Sequence, residues 1–170
     1  NYITTLWRGS IRFTPAMLFS IGLVSSFITG GVTGIILADS ALDIQVHDTY
    51  FVVAHFHVVM GLSAIFGMFA GVYHWFPKMY GRMMNSKLGM VHFWLTLVSA
   101  YGVFFPMHFV GIGGAPRRYY DYSVFEGFYK EQFDMIMDLN VVITIFAIIG
   151  GLAQIVFLFN FFYSIRRGQK

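Results

Sequence analysis

Long uncharged hydrophobic segments alternate with short polar connections along this chain. Four of them lack Asp, Glu, Lys and Arg, and they extend over residues 13–38, 49–77, 88–116 and 139–165. A helix needs about 20 residues to cross roughly 30 Å of hydrocarbon, so each segment is long enough to cross a membrane once. A buried core helix of a soluble protein is the alternative for one such segment, but four in a short chain favour the membrane. The pattern predicts an all-α fold, a polytopic transmembrane helix bundle with four spans over residues 1–170.

The composition supports the membrane class. The chain is 57% hydrophobic and 11% charged, whereas about a quarter of the residues of a soluble domain are charged. It contains no cysteine, which excludes disulfides and thiolate metal sites. It begins with Asn1 and shows no signal-peptide pattern, so we expect a piece of a longer polytopic protein.

The charged residues separate to the two ends of the predicted spans. Cytoplasmic loops of membrane proteins are enriched in Lys and Arg, so the basic end is predicted to face the cytoplasm or the mitochondrial matrix, together with both chain ends. The net charge of +3 then reflects topology, and no nucleic-acid partner is expected. The basic end carries Arg8, Arg12, Lys78, Arg82, Lys87, Arg166, Arg167 and Lys170. The other end carries Asp39, Asp43, Asp48, Asp121, Glu126, Glu131, Asp134 and Asp138, with Arg117, Arg118 and Lys130 as its only basic residues.

Two histidines, His55 and His57, lie close together in the second predicted span. An ionisable residue inside a membrane helix is costly, which makes it a candidate functional residue. Residues two apart on an α-helix differ by about 200° in direction, so the two rings are predicted to serve different partners on opposite flanks. Haem iron takes a single axial imidazole, and two haems beside one helix would account for the pair. Hydrogen bonds to neighbouring helices, or a proton relay in a transporter, are the alternatives.

Two adjacent arginines, Arg117 and Arg118, follow the third predicted span on its outer side. Guanidinium groups bind carboxylates bidentately, so the pair is suited to the anionic propionates of haem. A solvated pair at the membrane surface is the alternative. His74, His92 and His108 lie near span ends and are predicted to have structural or interfacial roles.

Several segments resemble subunit I of the haem–copper oxidases of the cytochrome c oxidase kind. Residues 46–57, with the sequence VHDTYFVVAHFH, resemble the hallmark segment of that family. The resemblance covers nearly the whole chain and implies the last four of twelve transmembrane helices. The other matching segments are residues 10–38, 40–43, 75–77, 104–108 and 116–119.

The resemblance implies haem roles for the histidine pair. His55 is implied as the proximal ligand of the oxygen-reducing high-spin haem, which makes it the catalytic residue of this segment. His57 is implied as one of two axial ligands of the low-spin haem, with Phe56 between the two haems.

The resemblance also implies an outer network around the haem propionates. Arg117 and Arg118 are implied to bind the propionates, with Asp43 in the same network. His47 and Asp48 are implied to hold a magnesium or manganese ion beside it. From the residues alone, Asp48 could instead cap the second span and satisfy free backbone N–H groups.

The implied activity is that of a respiratory terminal oxidase in a bacterial cytoplasmic or mitochondrial inner membrane. Electrons from cytochrome c would pass through the low-spin haem to a haem–copper centre that reduces oxygen to water, coupled to proton pumping. The implied partners are the rest of subunit I, a second subunit with the electron-entry copper, other oxidase subunits, cytochrome c and membrane lipids.

The resemblance implies that part of the catalytic machinery lies outside this chain, and it leaves two alternative functions open. Copper would be bound by residues outside this chain. The chain alone is therefore not expected to be a competent enzyme. The family's usual proline after residue 122 is replaced by Ser123. A quinol oxidase of the same superfamily is the nearest alternative, although the His47–Asp48 pair argues against it, and a transporter or channel fragment is the alternative from another class.

Overall fold

The structure, a computed structural model, describes residues 1–121, 123 and 130–169. Glu126 and Lys170, two of the charged residues used above, lie outside the described residues. A π-helical turn over His57–Leu62, called the π turn below, joins two of the helices into one continuous rod. The helices are α1 (Tyr2–Leu6), α2 (Pro15–Ala38), α3 (Ser40–Val46), α4 (Tyr50–Phe56), α5 (Ser63–Tyr80), α6 (Ser86–Ile112) and α7 (Lys130–Arg167).

Four helical rods of the described chain are long and apolar enough to cross a membrane. They are α2, the rod from Tyr50 to Tyr80, α6 and the last helix. The predicted all-α fold with four membrane-spanning helices is therefore confirmed. The chain runs up and down through consecutive rods, so the acidic connections share one end of the bundle and the basic connections share the other.

The two largest differences between the helix ends and the uncharged segments lie at the acidic end. α6 stops at Ile112 although the uncharged run continues to Pro116, because Gly114 takes a left-handed backbone conformation with φ of 89°. α7 begins at Lys130, well before the uncharged run at residue 139. Its first turns carry Asp134 and Asp138, which a helix tolerates where it extends beyond the hydrocarbon layer.

Local sequence explains where the rods begin and end at the basic end. Thr14 accepts a hydrogen bond from the Met17 backbone N–H, and Pro15 occupies the first helical position, where its missing N–H costs nothing. Asn85 caps α6 in the same manner. The rod that carries the histidines ends at Gly81, whose φ of 65° suits a residue without a Cβ atom.

The core of the bundle is an aromatic cluster at the level of α5. Phe19 of α2 is fully buried. Its ring stacks on Tyr73 with centroids 5.7 Å apart and meets Phe93 edge-on at 5.1 Å. Flat rings in these arrangements let three helices approach closely, which fixes α2, α5 and α6 relative to one another.

An antiparallel β-bridge lies at each end of the described bundle. Thr49 pairs with Pro116 at the acidic end, and Met83 pairs with Gln169 at the basic end. At the basic end Arg82 also donates a hydrogen bond to the Gly168 carbonyl at 2.9 Å. The bridge at the acidic end holds the connections before α4 and after α6 against each other, which positions the candidate site below.

The charge separation predicts the orientation of the bundle in the membrane. In the full-length protein, we expect Gln169→Cys to react with a membrane-impermeant maleimide only from the cytoplasmic or matrix side. Tyr120→Cys should react only from the opposite side. Both side chains are exposed, and the chain contains no cysteine of its own. The parent protein serves as the control for cysteines elsewhere, and labelling of both variants from one side would contradict the topology.

Candidate haem-binding site

The two histidines of the second span lie where α4 meets the π turn. His55 is near the end of α4, and His57 is the first residue of the π turn. The π turn places one more residue in each hydrogen-bonded ring than an α-helix does, and such turns are frequent at functional sites. It is followed by Ser63, whose hydroxyl lies 3.1 Å from the buried Ser26 hydroxyl of α2.

His55 faces α2. Its Nδ1 atom lies 2.9 Å from the Gly30 carbonyl oxygen and 2.9 Å from the Thr33 hydroxyl. A carbonyl oxygen only accepts, so Nδ1 carries the proton and donates it. Nε2 then carries the lone pair, which is the form of imidazole that binds a metal.

His57 faces α6. Its ring stacks on Phe104 with centroids 5.2 Å apart and an interplanar angle of 22°. Its Nδ1 atom lies 2.7 Å from the Val53 carbonyl oxygen of its own helix. By the same argument Nδ1 donates and Nε2 keeps its lone pair.

The two rings therefore contact different helices, as their spacing predicts. Both donate Nδ1–H to a backbone carbonyl, the usual outer partner of a metal-binding histidine. The donor set fits two separate iron atoms, each taking one Nε2. Phe56 lies between the two histidines along the chain, 38% exposed, with its ring centroid 4.3 Å from that of His57.

The two candidate propionate-binding arginines follow α6 at the acidic end. Arg117 forms an ion pair with Asp48, and its backbone N–H donates to the Asp48 carbonyl at 2.9 Å. Arg118 is exposed, with a left-handed φ of 67°. The β-bridge between Thr49 and Pro116 holds this turn directly above α4.

The structure pairs the candidate cation ligands differently from the sequence expectation. His47 Nδ1 lies 3.2 Å from an Asp43 carboxylate oxygen, one helical turn before it, whereas Asp48 takes Arg117 as its partner. Asp48 is not the helix cap, because Thr49 occupies that position and accepts from the Phe51 N–H. Within the described residues, no group of three or more His, Cys, Asp or Glu converges on one point.

The three other histidines have different environments. His92 is fully buried and takes a structural role, with Tyr73 and Gln154 as its side-chain partners. His74 is exposed, which agrees with an interfacial position. His108 donates Nδ1–H to the Phe104 carbonyl, and its buried Nε2 has no partner within the described part of the chain.

Sequence reasoning missed the partners of His55. Gly30 marks a close approach of α2 to the π turn, because a Cβ there would lie 2.5 Å from a Val59 methyl carbon. That close approach also brings the Gly30 carbonyl within reach of the imidazole. The run of Gly30, Thr33 and Gly34 facing the histidine was the available signal, because small residues one turn apart allow a ring to enter.

Comparisons with known proteins assign the chain to a family. A profile of the family described as "Cytochrome C and Quinol oxidase polypeptide I" matches residues 1–167. The alternative cytochrome c oxidase subunit 1 of Bradyrhizobium diazoefficiens is 44% identical over 99% of this chain and 28% of its own length. The cytochrome c oxidase subunits 1 of Thermostichus vulcanus and Corynebacterium diphtheriae are each 44% identical over 99% of this chain, covering 29% and 28% of their lengths. The chain thus spans less than a third of the relatives it matches, and it belongs to the cytochrome c and quinol oxidase polypeptide I family.

Proposed function

We propose that this chain forms the last four transmembrane helices of subunit I in a cytochrome c oxidase. The observation that carries the proposal is the pair of imidazoles on opposite flanks of one membrane helix, each with its Nδ1 proton held by a carbonyl. His55 serves the oxygen-reducing high-spin haem and His57 the low-spin haem. A single-metal site or a continuous proton relay would need the two rings on one side.

The residues of this chain orient and insulate the two haems. When bound, haem supplies one-electron transfer and oxygen binding. Phe56 separates the two ligands along the helix and presents an exposed ring. Phe104 stacks on the His57 ring and limits its rotation. Apolar walls of this kind exclude water and keep the electron path short.

The acidic end of the bundle provides charge for the haem propionates. Arg117 and Arg118 would donate to the propionates, and Asp43, which pairs with His47, would belong to the same network. Arg117 is shared with Asp48. The Asp48 carboxylate partly compensates the positive charge of Arg117. Arg118 is not part of that ion pair, so its charge acts more strongly on the propionates.

His47 and Asp48 also belong to a divalent cation site. Magnesium prefers oxygen ligands and keeps several waters, while manganese accepts imidazole more readily. Asp43, His47 and Asp48 all lie around the short connection between α3 and α4, but they are paired separately within this chain. The remaining ligands therefore come from water and from another subunit.

The complete enzyme works with parts outside this chain. The rest of subunit I supplies the copper ligands, and a second subunit supplies the electron-entry copper. Cytochrome c is the donor, oxygen is reduced to water, and the reaction is coupled to proton pumping in a bacterial cytoplasmic or mitochondrial inner membrane. Quinol is the alternative donor, because the family description covers both classes, and the names of the cited relatives favour cytochrome c.

The two histidines should give different defects. In the complete oxidase, His57→Ala should remove the low-spin haem bands from the reduced-minus-oxidised optical spectrum, because one of its two axial ligands is lost. His55→Ala should leave those bands and disturb carbon monoxide binding to the high-spin haem. His74→Ala, at an exposed position of the same rod, is the matched control. Identical spectral defects in two assembled variants would contradict separate haems.

The arginines should raise the midpoint potential of a nearby haem. Arg118→Gln should lower that potential, because removing a positive charge makes the added electron less stable. Over a distance on the order of 15 Å, a unit charge at an effective dielectric of about 20 contributes about 1 kcal/mol, so the expected decrease is on the order of tens of millivolts. Spectroelectrochemical titration measures the change, with Arg82→Gln at the basic end as control. An unchanged potential would place Arg118 in solvent.

The cation site should depend on Asp48. Oxidase from cells grown with excess manganese should show a bound-manganese electron paramagnetic resonance signal that Asp48→Asn abolishes, because the carboxylate ligand is removed. Asp121→Asn is the control, because it also removes one carboxylate charge from the outer side. The hydrogen bond from the Ser123 backbone N–H lowers the pKa of Asp121, so this carboxylate is charged in the parent protein. Equal manganese in wild type and Asp48→Asn would limit Asp48 to its ion pair with Arg117.

A further inference from the structure

The side of α2 that faces His55 carries the Thr33 hydroxyl in addition to the Gly30 carbonyl. Thr33 is half-buried, and its Oγ1 lies 2.9 Å from His55 Nδ1. The same hydroxyl donates a hydrogen bond to the Gly30 carbonyl at 2.7 Å. We propose that Thr33 is a positioning residue for His55, setting the rotation and the electron-donating strength of the imidazole that binds the high-spin haem. This inference rests on the proposed function of His55.

The protons in this cluster have only one consistent arrangement. The Gly30 carbonyl accepts and cannot donate, so the Thr33 hydroxyl directs its proton to that carbonyl. The lone pairs of Thr33 Oγ1 are then free to accept. His55 Nδ1–H is therefore the donor, and it is shared between the carbonyl and the hydroxyl.

Two acceptors on one N–H affect the metal-binding side of the ring. Acceptors at Nδ1 draw the proton away from the imidazole and raise the basicity of Nε2, as outer partners of metal-bound histidines do. The more basic Nε2 is the stronger electron donor. The Thr33 hydroxyl adds to this effect because it provides a second acceptor beside the carbonyl.

The same cluster limits the rotation of the ring. Gly34 follows Thr33 in α2. A Cβ atom at residue 34 would lie 3.0 Å from His55 Cε1, which is closer than an ordinary van der Waals contact. The ring is thus held by two acceptors at Nδ1 and by the backbone of α2 beside Cε1. Gly30 itself packs against Val59 of the π turn, which keeps the distance between α2 and this rod short.

Among the described residues, His57 has no comparable set of partners on a neighbouring helix. Its Nδ1 partner is the Val53 carbonyl four residues earlier on the same rod, and its ring rests on the flat face of Phe104. His57 is therefore held by its own helix, whereas His55 is tied across to α2 by a hydroxyl and a carbonyl. The additional acceptor distinguishes the proposed oxygen-side ligand from the electron-transfer ligand.

The test uses Thr33→Val in the complete oxidase, because valine keeps the shape and removes the hydroxyl. Resonance Raman spectroscopy of the ferrous enzyme measures the stretching frequency between iron and the histidine nitrogen of the high-spin haem. We expect this frequency to fall, since the imidazole donates less strongly. The midpoint potential of the same haem should rise by up to about 59 mV, which corresponds to a tenfold change in the ratio of reduced to oxidised haem.

Two further variants separate positioning from a general packing effect. Thr33→Ser retains the hydroxyl and should restore both the frequency and the potential. Thr144→Val removes an exposed hydroxyl that bonds only to a carbonyl of its own helix, so it should leave both values unchanged. If Thr33→Val does not assemble, Thr33→Ala decides, because it removes the hydroxyl without placing a second methyl group beside the ring.

The outcomes distinguish this inference from the proposed function. A wild-type frequency and potential in the hydroxyl-free variant at residue 33 would overturn the positioning role while leaving His55 as the ligand. An iron–histidine band that persists in His55→Ala would overturn the proposed function itself. A lowered frequency in Thr33→Val that Thr33→Ser restores would support both.

Discussion

The arrangement around the histidine pair depends on one constraint: a polar group inside the hydrocarbon layer needs a partner from the protein, because water is not there to provide one. Each imidazole has two ring nitrogens, and each nitrogen needs its own polar partner. The carbonyls of Gly30 and Val53 meet that need at one nitrogen of each ring. The second nitrogen of each ring is the one that the proposed function gives to iron. Under that proposal, backbone carbonyls of α2 and α4 satisfy Nδ1, and a haem iron would satisfy Nε2.

In the rod from Tyr50 to Tyr80, the part that holds the histidines differs from the part that packs in the aromatic core. The π turn begins at His57, so the residues that follow are rotated relative to a continued α4. His55 lies on α4 and His57 begins the π turn, while α5 presents its aromatic side chains, including Phe66 and Tyr73, to Phe19 of α2. Because the register changes between the two parts, the faces used for ligation and for packing need not be aligned. The buried pair of Ser26 and Ser63 lies just after this change and fixes α2 against the rod.

Features set by one helix could be predicted from the sequence, and features set by the register between helices could not. The four spans and the opposite directions of His55 and His57 follow from the lengths of uncharged runs and from helical periodicity. Thr33 and Asp48 were different, because their partners lie on other elements and are chosen by packing. The resemblance implies a shared cation for His47 and Asp48. Within the described residues His47 pairs with Asp43 and Asp48 pairs with Arg117, and the cation site stays a prediction.

The turn that carries Arg117 and Arg118 is held by a weak ion pair together with backbone hydrogen bonds. Asp48 and Arg118 both have left-handed backbone conformations, which cost on the order of 1 kcal/mol or more each for residues other than glycine. The ion pair between Asp48 and Arg117 is partly exposed, and such pairs contribute only about 0–1 kcal/mol. It does not offset the backbone cost alone. The hydrogen bonds from the backbone N–H groups of Arg117 and Tyr50 across the β-bridge must contribute. Backbone strain of this kind persists where the surroundings impose it, which is common at binding sites. The turn is therefore held by its backbone hydrogen bonds more than by the ion pair, and these bonds keep both arginines of the proposed propionate site beside α4.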